Sequence, residues 1–178
     1  ILLFRVTSDA VCAYGRRALA SPTPTAGDIY KLKYKGMSLA LSVLNSALGG
    51  NYVCFGVFAL YNDPALENAL DVSLKMALSI PLEQVIAYPK LSKSVFGFIE
   101  LMFRNHMKTT LALESSVFMQ LMNAVHEGLQ ASDAQISSMC ANCVDHLATF
   151  HFSILPNYIN ASSVEGSGSD QNFCCLLS

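Results

Sequence analysis

The sequence predicts an all-α fold, an α-solenoid of about three HEAT-type antiparallel helix pairs. Pairs of amphipathic helical patterns recur three times along the chain, and their spacing of roughly 45 to 50 residues is typical of HEAT repeats. Composition is the second observation, since 52% of the residues are hydrophobic and only 13% are charged. Repeats in a solenoid bury apolar faces against their neighbours. The excess of apolar residues, and a first residue that is Ile1, therefore predict a segment of a longer stack.

The first pair is predicted over residues 1–48. Its helices cover residues 2–19 and 29–48, because the prolines at positions 22 and 24 cannot continue a helix. Gly49 and Gly50 end the second helix. The face of that helix predicted to be buried consists of Leu32, Leu39, Val43, Leu44 and Ala47.

The second pair is predicted over residues 63–112, after an aromatic connection that should pack down on the helices. Asp63 suits a helix cap and Pro64 the first helical position. Pro81 ends this helix, and Pro89 starts its partner. The buried residues predicted for the first helix are Leu66, Leu70, Leu74, Ala77 and Leu78. Those predicted for the partner are Val95, Phe96, Ile99, Met102 and Phe103.

The third pair is predicted over residues 114–154. Ser132 and Gln135 have capping-box spacing at the start of its second helix. The apolar stripe of the first helix is Val117, Phe118, Leu121, Met122, Val125 and Leu129, and that of the second is Ile136, Cys140, Cys143, Val144 and Leu147. Residues 159–178 are predicted to be a disordered tail behind a structured segment 1–158, because residues 161–171 are rich in Ser and Gly and lack periodicity.

Charge and composition exclude several classes of function. The formal net charge of −2 lacks the basic excess of a nucleic-acid binder. No nucleophile, base and acid can be assembled, and no glycine-rich phosphate loop follows a strand, so neither an enzyme nor a cofactor is expected. Six unevenly spaced cysteines within apolar stripes favour a reducing compartment.

Cys140 and Cys143 with His146 admit a zinc site or a redox pair as alternatives. On a helix the two cysteines share a stripe with Ile136, while His146 points away from it, and no second such pair completes four ligands. Buried core cysteines are therefore favoured, and no metal site is predicted.

Two features raise the possibility of membrane association. Residues 36–62 carry no charged side chain, but Gly49, Gly50 and Asn51 interrupt them, so a packed helix and a connection are favoured over a membrane span. The last four residues, from Cys175 to Ser178, match a prenylation signal, which makes Cys175 a candidate lipidation site. The tail lacks the basic patch that usually supports such an anchor.

Several strings of residues are specific enough to compare with known families. They are GNYVCFGVF at 50–58, LYND at 60–63, SIP at 79–81 and YPKLS at 88–92, with ILLFR at 1–5, YG at 14–15 and KYKG at 33–36. These strings resemble the exportin-seven (Ran-binding protein sixteen) branch of the importin-β superfamily of karyopherins. The resemblance runs from Ile1 to about Phe152.

The resemblance implies a segment, toward the carboxyl end, of a HEAT-repeat export receptor. Such receptors carry protein cargo through the nuclear pore, with Ran-GTP and nucleoporins as partners, and are found in the nucleus and the cytoplasm. A generic α-solenoid scaffold without Ran coupling is the alternative. A lipid-anchored or membrane-associated helical protein, built on residues 36–62 and the terminal CLLS, is a third reading.

Partner-binding residues are expected on the second helix of each pair, which lines the concave surface of a HEAT solenoid. Solvated polar faces without a partner are the alternative for each of them. The candidates are Lys31 and Lys35 in the first pair, Lys90, Lys93 and Arg104 in the second, and Asp133, Gln135 and Asp145 in the third.

Overall fold

Nine α-helices occupy the part of the chain that the computed structural model describes, residues 2–22, 28–50 and 55–161. Within these ranges there is no β-strand, which confirms the all-α prediction. A π-helical turn, Tyr30–Tyr34, runs directly into the second helix. The helices are α1 Leu2–Ala20, α2 Lys35–Gly49, α3 Gly56–Leu60, α4 Ala65–Leu78, α5 Leu82–Ala87, α6 Pro89–Asn105, α7 Met107–Leu111, α8 Ser115–Leu129 and α9 Ala134–Ala161.

The described residues form two compact units that divide within α6, between Phe98 and Ile99. In the first unit, α1 packs against both α2 and α4. The buried face of α1 includes Phe4, Val11 and Ala18. A polar contact adds to this packing, because the Ser8 hydroxyl donates to the Ala65 carbonyl at 3.0 Å.

The buried face of α2 differs from the predicted one. Leu44 and Ala47 are buried as expected, but Leu32, Leu39 and Val43 are 65%, 66% and 43% exposed. The side chains that fill the core are instead Met37, Leu41, Leu44 and Leu48. Apolar residues lie on two opposite sides of this helix, so the period of 3.6 residues identifies two stripes without deciding which one packs. The wider π-helical turn before α2 also shifts the phase between Leu32 and the later residues.

The aromatic connection contains a short helix, α3, that the sequence did not predict. Phe58 is 2% exposed, and its ring lies edge-on to Phe4 at a centroid distance of 5.2 Å. Tyr61, by contrast, is 77% exposed. The connection is therefore packed only in part among its described residues, and residues 51–54 lie outside them.

The start of α4 lies one residue later than predicted, because Pro64 takes the N-cap position and the helix begins at Ala65. Asp63 still accepts a hydrogen bond from the first turn. The Asp63 Oδ1 accepts the Ala65 backbone N–H at 3.0 Å, and Oδ2 lies 3.1 Å from Nε of Arg5. Leu70, Leu74 and Ala77 are buried, whereas Leu66 and Leu78 are half-buried. Residues 82–87, predicted as a connection, form the short helix α5.

The five residues predicted to face inward on α6, Val95, Phe96, Ile99, Met102 and Phe103, are all buried. In the second unit the Thr110 hydroxyl ties α7 back to α6 by donating to the Met102 carbonyl at 3.2 Å and the His106 carbonyl at 3.0 Å. The Met102 and His106 carbonyls also accept the backbone N–H groups of His106 and Thr110, so the hydroxyl adds to bonds that the backbone already makes.

Helices α8 and α9 pack against each other. Their core residues are Phe118, Leu121, Val125, Ile136, Cys140 and Cys143. Leu129 and Val144 were predicted to be buried but are 41% and 44% exposed, because each lies at the edge of its apolar stripe.

The cap of α9 also differs from the prediction. Asp133, one residue after Ser132, accepts the Gln135 N–H through its Oδ1 at 2.9 Å, and the helix begins at Ala134. Both residues are preferred at helix caps, so composition alone does not separate neighbouring candidates. Helix α9 extends to Ala161, and residues 162–178 of the predicted tail lie outside the described residues.

Candidate partner-binding surface

Helices α2 and α6, the second helices of the first two predicted pairs, are joined by a seam of polar contacts. The Ser38 hydroxyl donates to the Lys90 carbonyl at 3.0 Å and lies 3.0 Å from the Ser94 hydroxyl. Seven residues further on, the Asn45 side-chain amide donates to the Ser94 carbonyl at 2.9 Å. Position Gly97 faces the same amide, since a Cβ there would lie 3.3 Å from it. The earlier residue of α2, Ser38, contacts the earlier part of α6, and the later residue, Asn45, contacts the later part. Helices α2 and α6 therefore run parallel, with their amino-terminal ends side by side.

Four predicted lysines meet at these amino-terminal ends. Lys31 precedes α2 in the π-helical turn, Lys35 begins α2, and Lys90 and Lys93 are the second and fifth residues of α6. All four side chains are exposed. We call the surface formed by Lys31, Lys35, Lys90 and Lys93 the lysine face.

Three tyrosines fix the two helix ends beside each other. The rings of Tyr30 and Tyr88 stack at a centroid distance of 4.8 Å, and Tyr34 approaches Tyr88 at 6.2 Å. Tyr34 is buried, and its hydroxyl donates to the side-chain oxygen of Gln84 in α5. Stacked rings and a satisfied hydroxyl make a specific contact. These contacts therefore join the backbone before α2 to the backbone before α6, where the lysines lie.

The lysine face carries mostly uncompensated positive charge. Lys31 Nζ lies 3.3 Å from Asp28 Oδ2. Asp28 also accepts the backbone N–H groups of Tyr30 and Lys31, and hydrogen bonding from the backbone and side chain of Lys31 lowers the pKa of its carboxyl below the usual value. Within the described residues, Lys35, Lys90 and Lys93 make no ion pair.

The other four predicted partner-binding residues belong to the second unit. Arg104 is exposed near the end of α6, and Asp145 is exposed on α9. Asp133 and Gln135 are also exposed, and the Asp133 carboxylate accepts the Gln135 backbone N–H at the start of α9. The structure therefore brings four of the eight candidates onto one surface.

Sequence reasoning did not identify the residues that position the lysines. Ser38 and Asn45 are polar residues on the buried side of an amphipathic helix, and this spacing of seven residues is the only signal of the seam. Gln84 and Tyr88 belong to α5 and its carboxyl-terminal cap, whereas Tyr30 lies more than 50 residues earlier, so no local pattern connects them.

Cys140 and Cys143 are core residues of α9, at 1% and 2% exposure. Burial raises the pKa of the Cys140 thiol to about 11, with a further contribution from Glu100. Burial raises the pKa of Cys143 further, assisted by Cys140 and Glu100. In the described part of the chain, no group of three or more His, Cys, Asp and Glu residues could hold a metal ion.

We expect Cys140 and Cys143 to resist alkylation in the folded chain. Iodoacetamide at pH 8 should modify them at least about tenfold more slowly than in urea, because the thiolate is the reactive form. Peptide mass mapping measures the two rates. Since a bound metal would also protect the thiols, the zinc content of the chain is measured after exposure to zinc and desalting. Rapid native alkylation, or one zinc retained per chain, would contradict a core role.

No helix among the described residues has the length and hydropathy needed to cross a bilayer. The candidate lipidation site Cys175 lies outside the described residues and stays a prediction.

Comparison with known proteins adds a second line of evidence. Over 152 residues the chain is 43% identical to Exportin-7-B of Xenopus laevis, 40% to Ran-binding protein 17 of Homo sapiens and 34% to Ran-binding protein 16 of Drosophila melanogaster. In each case the match covers 85% of this chain and 14% of the relative. No protein-family model and no solved structure matches the chain. Over the matched residues, the chain belongs with the exportin-7 and Ran-binding protein 16 and 17 sequences.

Proposed function

We propose that this chain is a segment of a Ran-dependent nuclear export receptor that carries protein cargo through the nuclear pore. The observation that supports the proposal most is the 43% identity to Exportin-7-B over 85% of the chain. Relatives named as Ran-binding proteins 16 and 17 match the same length of chain and support Ran-GTP as a partner. The receptor would act in the nucleus, the cytoplasm and the pore, with nucleoporins as further partners.

The proposed role is mechanical rather than catalytic. Stacked helix pairs provide extended surfaces for large protein partners, and small changes between neighbouring repeats alter the curvature of such a stack. In this chain the contact between α2 and α6 is a seam of serine and asparagine side chains. We propose that the exposed lysine face beside this seam contacts a protein partner of the receptor. Arg104, Asp133, Gln135 and Asp145 remain proposed contacts in the second unit.

A stable scaffold without Ran coupling is the alternative function. The same helix pairs would then hold a protein complex whose composition does not respond to nucleotide. The two functions differ in one observable, the dependence of partner binding on Ran-GTP.

The test is a pull-down from cell extract with the full-length receptor, with and without Ran locked in its GTP form. The export function predicts protein partners that are captured only with Ran-GTP and released when GTP hydrolysis is allowed. Partners identified by mass spectrometry that bind equally in both conditions would contradict the transport function and favour the scaffold.

A further inference from the structure

We propose that the lysine face is a docking site for an acidic, extended segment of a partner protein. The proposal deepens the proposed function, on which it rests only for the identity of the partner. The kind of ligand is inferred from the charge of the four lysines and from the serine and tyrosine contacts that position their backbone.

The charge of the surface favours an anionic partner. Lys35, Lys90 and Lys93 are exposed and make no ion pair among the described residues. Lys31 pairs with Asp28, with 3.3 Å between Nζ and Oδ2. Glu83, the acidic residue of α5, makes no ion pair with them. A single exposed ion pair formed with a partner would contribute little to affinity, because both charges stay largely solvated. Useful affinity therefore requires several carboxylates to bind at once.

The spacing of the lysines suits an extended acidic chain. Residues three positions apart on an α-helix lie roughly 5 to 6 Å from each other, which describes Lys90 with Lys93. Lys31 and Lys35 are four positions apart, across the π-helical turn. Parallel packed helices lie about 8 to 10 Å apart. Alternate side chains of an extended peptide are separated by about 6.6 Å. A run of alternating or consecutive acidic residues can therefore reach lysines of both helices.

The lysine face is organised before a partner binds. The Lys90 carbonyl accepts hydrogen bonds from the Ser38 and Ser94 hydroxyls at 3.0 and 2.9 Å. Stacking of Tyr30 on Tyr88 holds the neighbouring turns. Binding then orders mainly the lysine side chains rather than the backbone, which keeps the entropic cost of binding small.

An acidic protein segment fits the surface better than a nucleic acid does. Proteins that bind single strands combine basic grooves with aromatic rings on which bases stack. The tyrosines beside the lysines are directed at each other, with Tyr30 and Tyr88 half-buried and Tyr34 buried.

The test is fluorescence anisotropy of a labelled 20-residue glutamate-rich peptide with the 178-residue chain, without Ran. The variant Lys35→Glu/Lys93→Glu changes the lysine face, and the matched control Lys75→Glu/Lys108→Glu changes net charge equally at exposed positions of α4 and α7. Circular dichroism checks that each variant folds. Measurements at about 50 and about 300 mM salt report electrostatic screening.

We expect the peptide to bind the unmodified chain more weakly at high salt. The Lys35→Glu/Lys93→Glu variant should lose at least about tenfold in affinity, and the control less than about threefold, with tenfold corresponding to about 1.4 kcal/mol. An equal loss in both variants would overturn the proposal, because net charge alone would explain binding. A single-stranded RNA of 20 nucleotides that binds more tightly than the peptide would also overturn it. Since Ran is absent, these outcomes leave the proposed export function separately testable.

Discussion

Substitution Leu41→Ala is expected to lower the free energy of unfolding by about 2 to 5 kcal/mol, as large-to-small changes in packed cores do. Leu41 is fully buried in α2, at 0% exposure. The matched control is Leu39→Ala, two residues earlier on the same helix, where the side chain is 66% exposed. Its effect should stay within about 0.5 kcal/mol, because exposed side chains lose little packing.

The comparison decides which of the two apolar sides of α2 faces the core. Both substitutions replace leucine by alanine within one helix, so their effects on helix propensity are nearly equal and cancel in the difference. Urea unfolding followed by circular dichroism measures both free energies. A loss for Leu39→Ala as large as that for Leu41→Ala would show that α2 packs with its other side inward.

Substitution Gly15→Val is expected to destabilise the first unit by at least about 1 to 3 kcal/mol through overpacking. Gly15 is buried where α1 crosses α4, and a Cβ at that position would lie 2.5 Å from Cγ1 of Val72. Val72 is buried and β-branched, so its side chain has few alternative rotamers. The two helices would have to move apart.

Two further variants separate this contact from a general effect of losing glycine. A Cβ at Gly56 in α3 would meet no atom of the described residues within 4 Å, so Gly56→Ala should be neutral or stabilise by up to about 1 kcal/mol. Combining Gly15→Ala with Val72→Ala should cost less than the sum of the single changes, because removal of the Val72 methyl groups relieves the clash. Stabilisation by Gly15→Ala alone, measured by urea unfolding, would contradict the close approach of α1 and α4.

The sequence predicted best where a helix has one apolar face and a clear boundary. Helix α6 begins at Pro89 as predicted, and its five inward residues are all buried. The predicted buried face of α2 was wrong, because Leu39 and Leu41 lie on opposite apolar sides of this helix. Which side is buried depends on the packing of the neighbouring helices. Helices α3 and α5 span five and six residues, fewer than two turns, so no periodic pattern can reveal them.

The candidate surface shows a similar limit. Exposure of Lys31, Lys35, Lys90 and Lys93 follows from their polar positions on amphipathic helices, and the structure agrees. Their proximity depends on the register between α2 and α6, which Ser38 and Asn45 set through hydrogen bonds across about 50 residues of chain. Local periodicity carries no information on such a register.

A disulfide cross-link between α2 and α6 is the most direct test of the central claim that these helices lie parallel and bring the lysines together. The Ser38 and Ser94 hydroxyl oxygens are 3.0 Å apart, so cysteines introduced as Ser38→Cys/Ser94→Cys should form a disulfide under mild oxidation. The control Leu39→Cys/Ser94→Cys places one thiol on the exposed side of α2. Peptide mass mapping that finds the 38–94 link, and little 39–94 link, is the predicted result. Absence of the 38–94 link in the folded chain, or equal yields for both pairs, would contradict the claim.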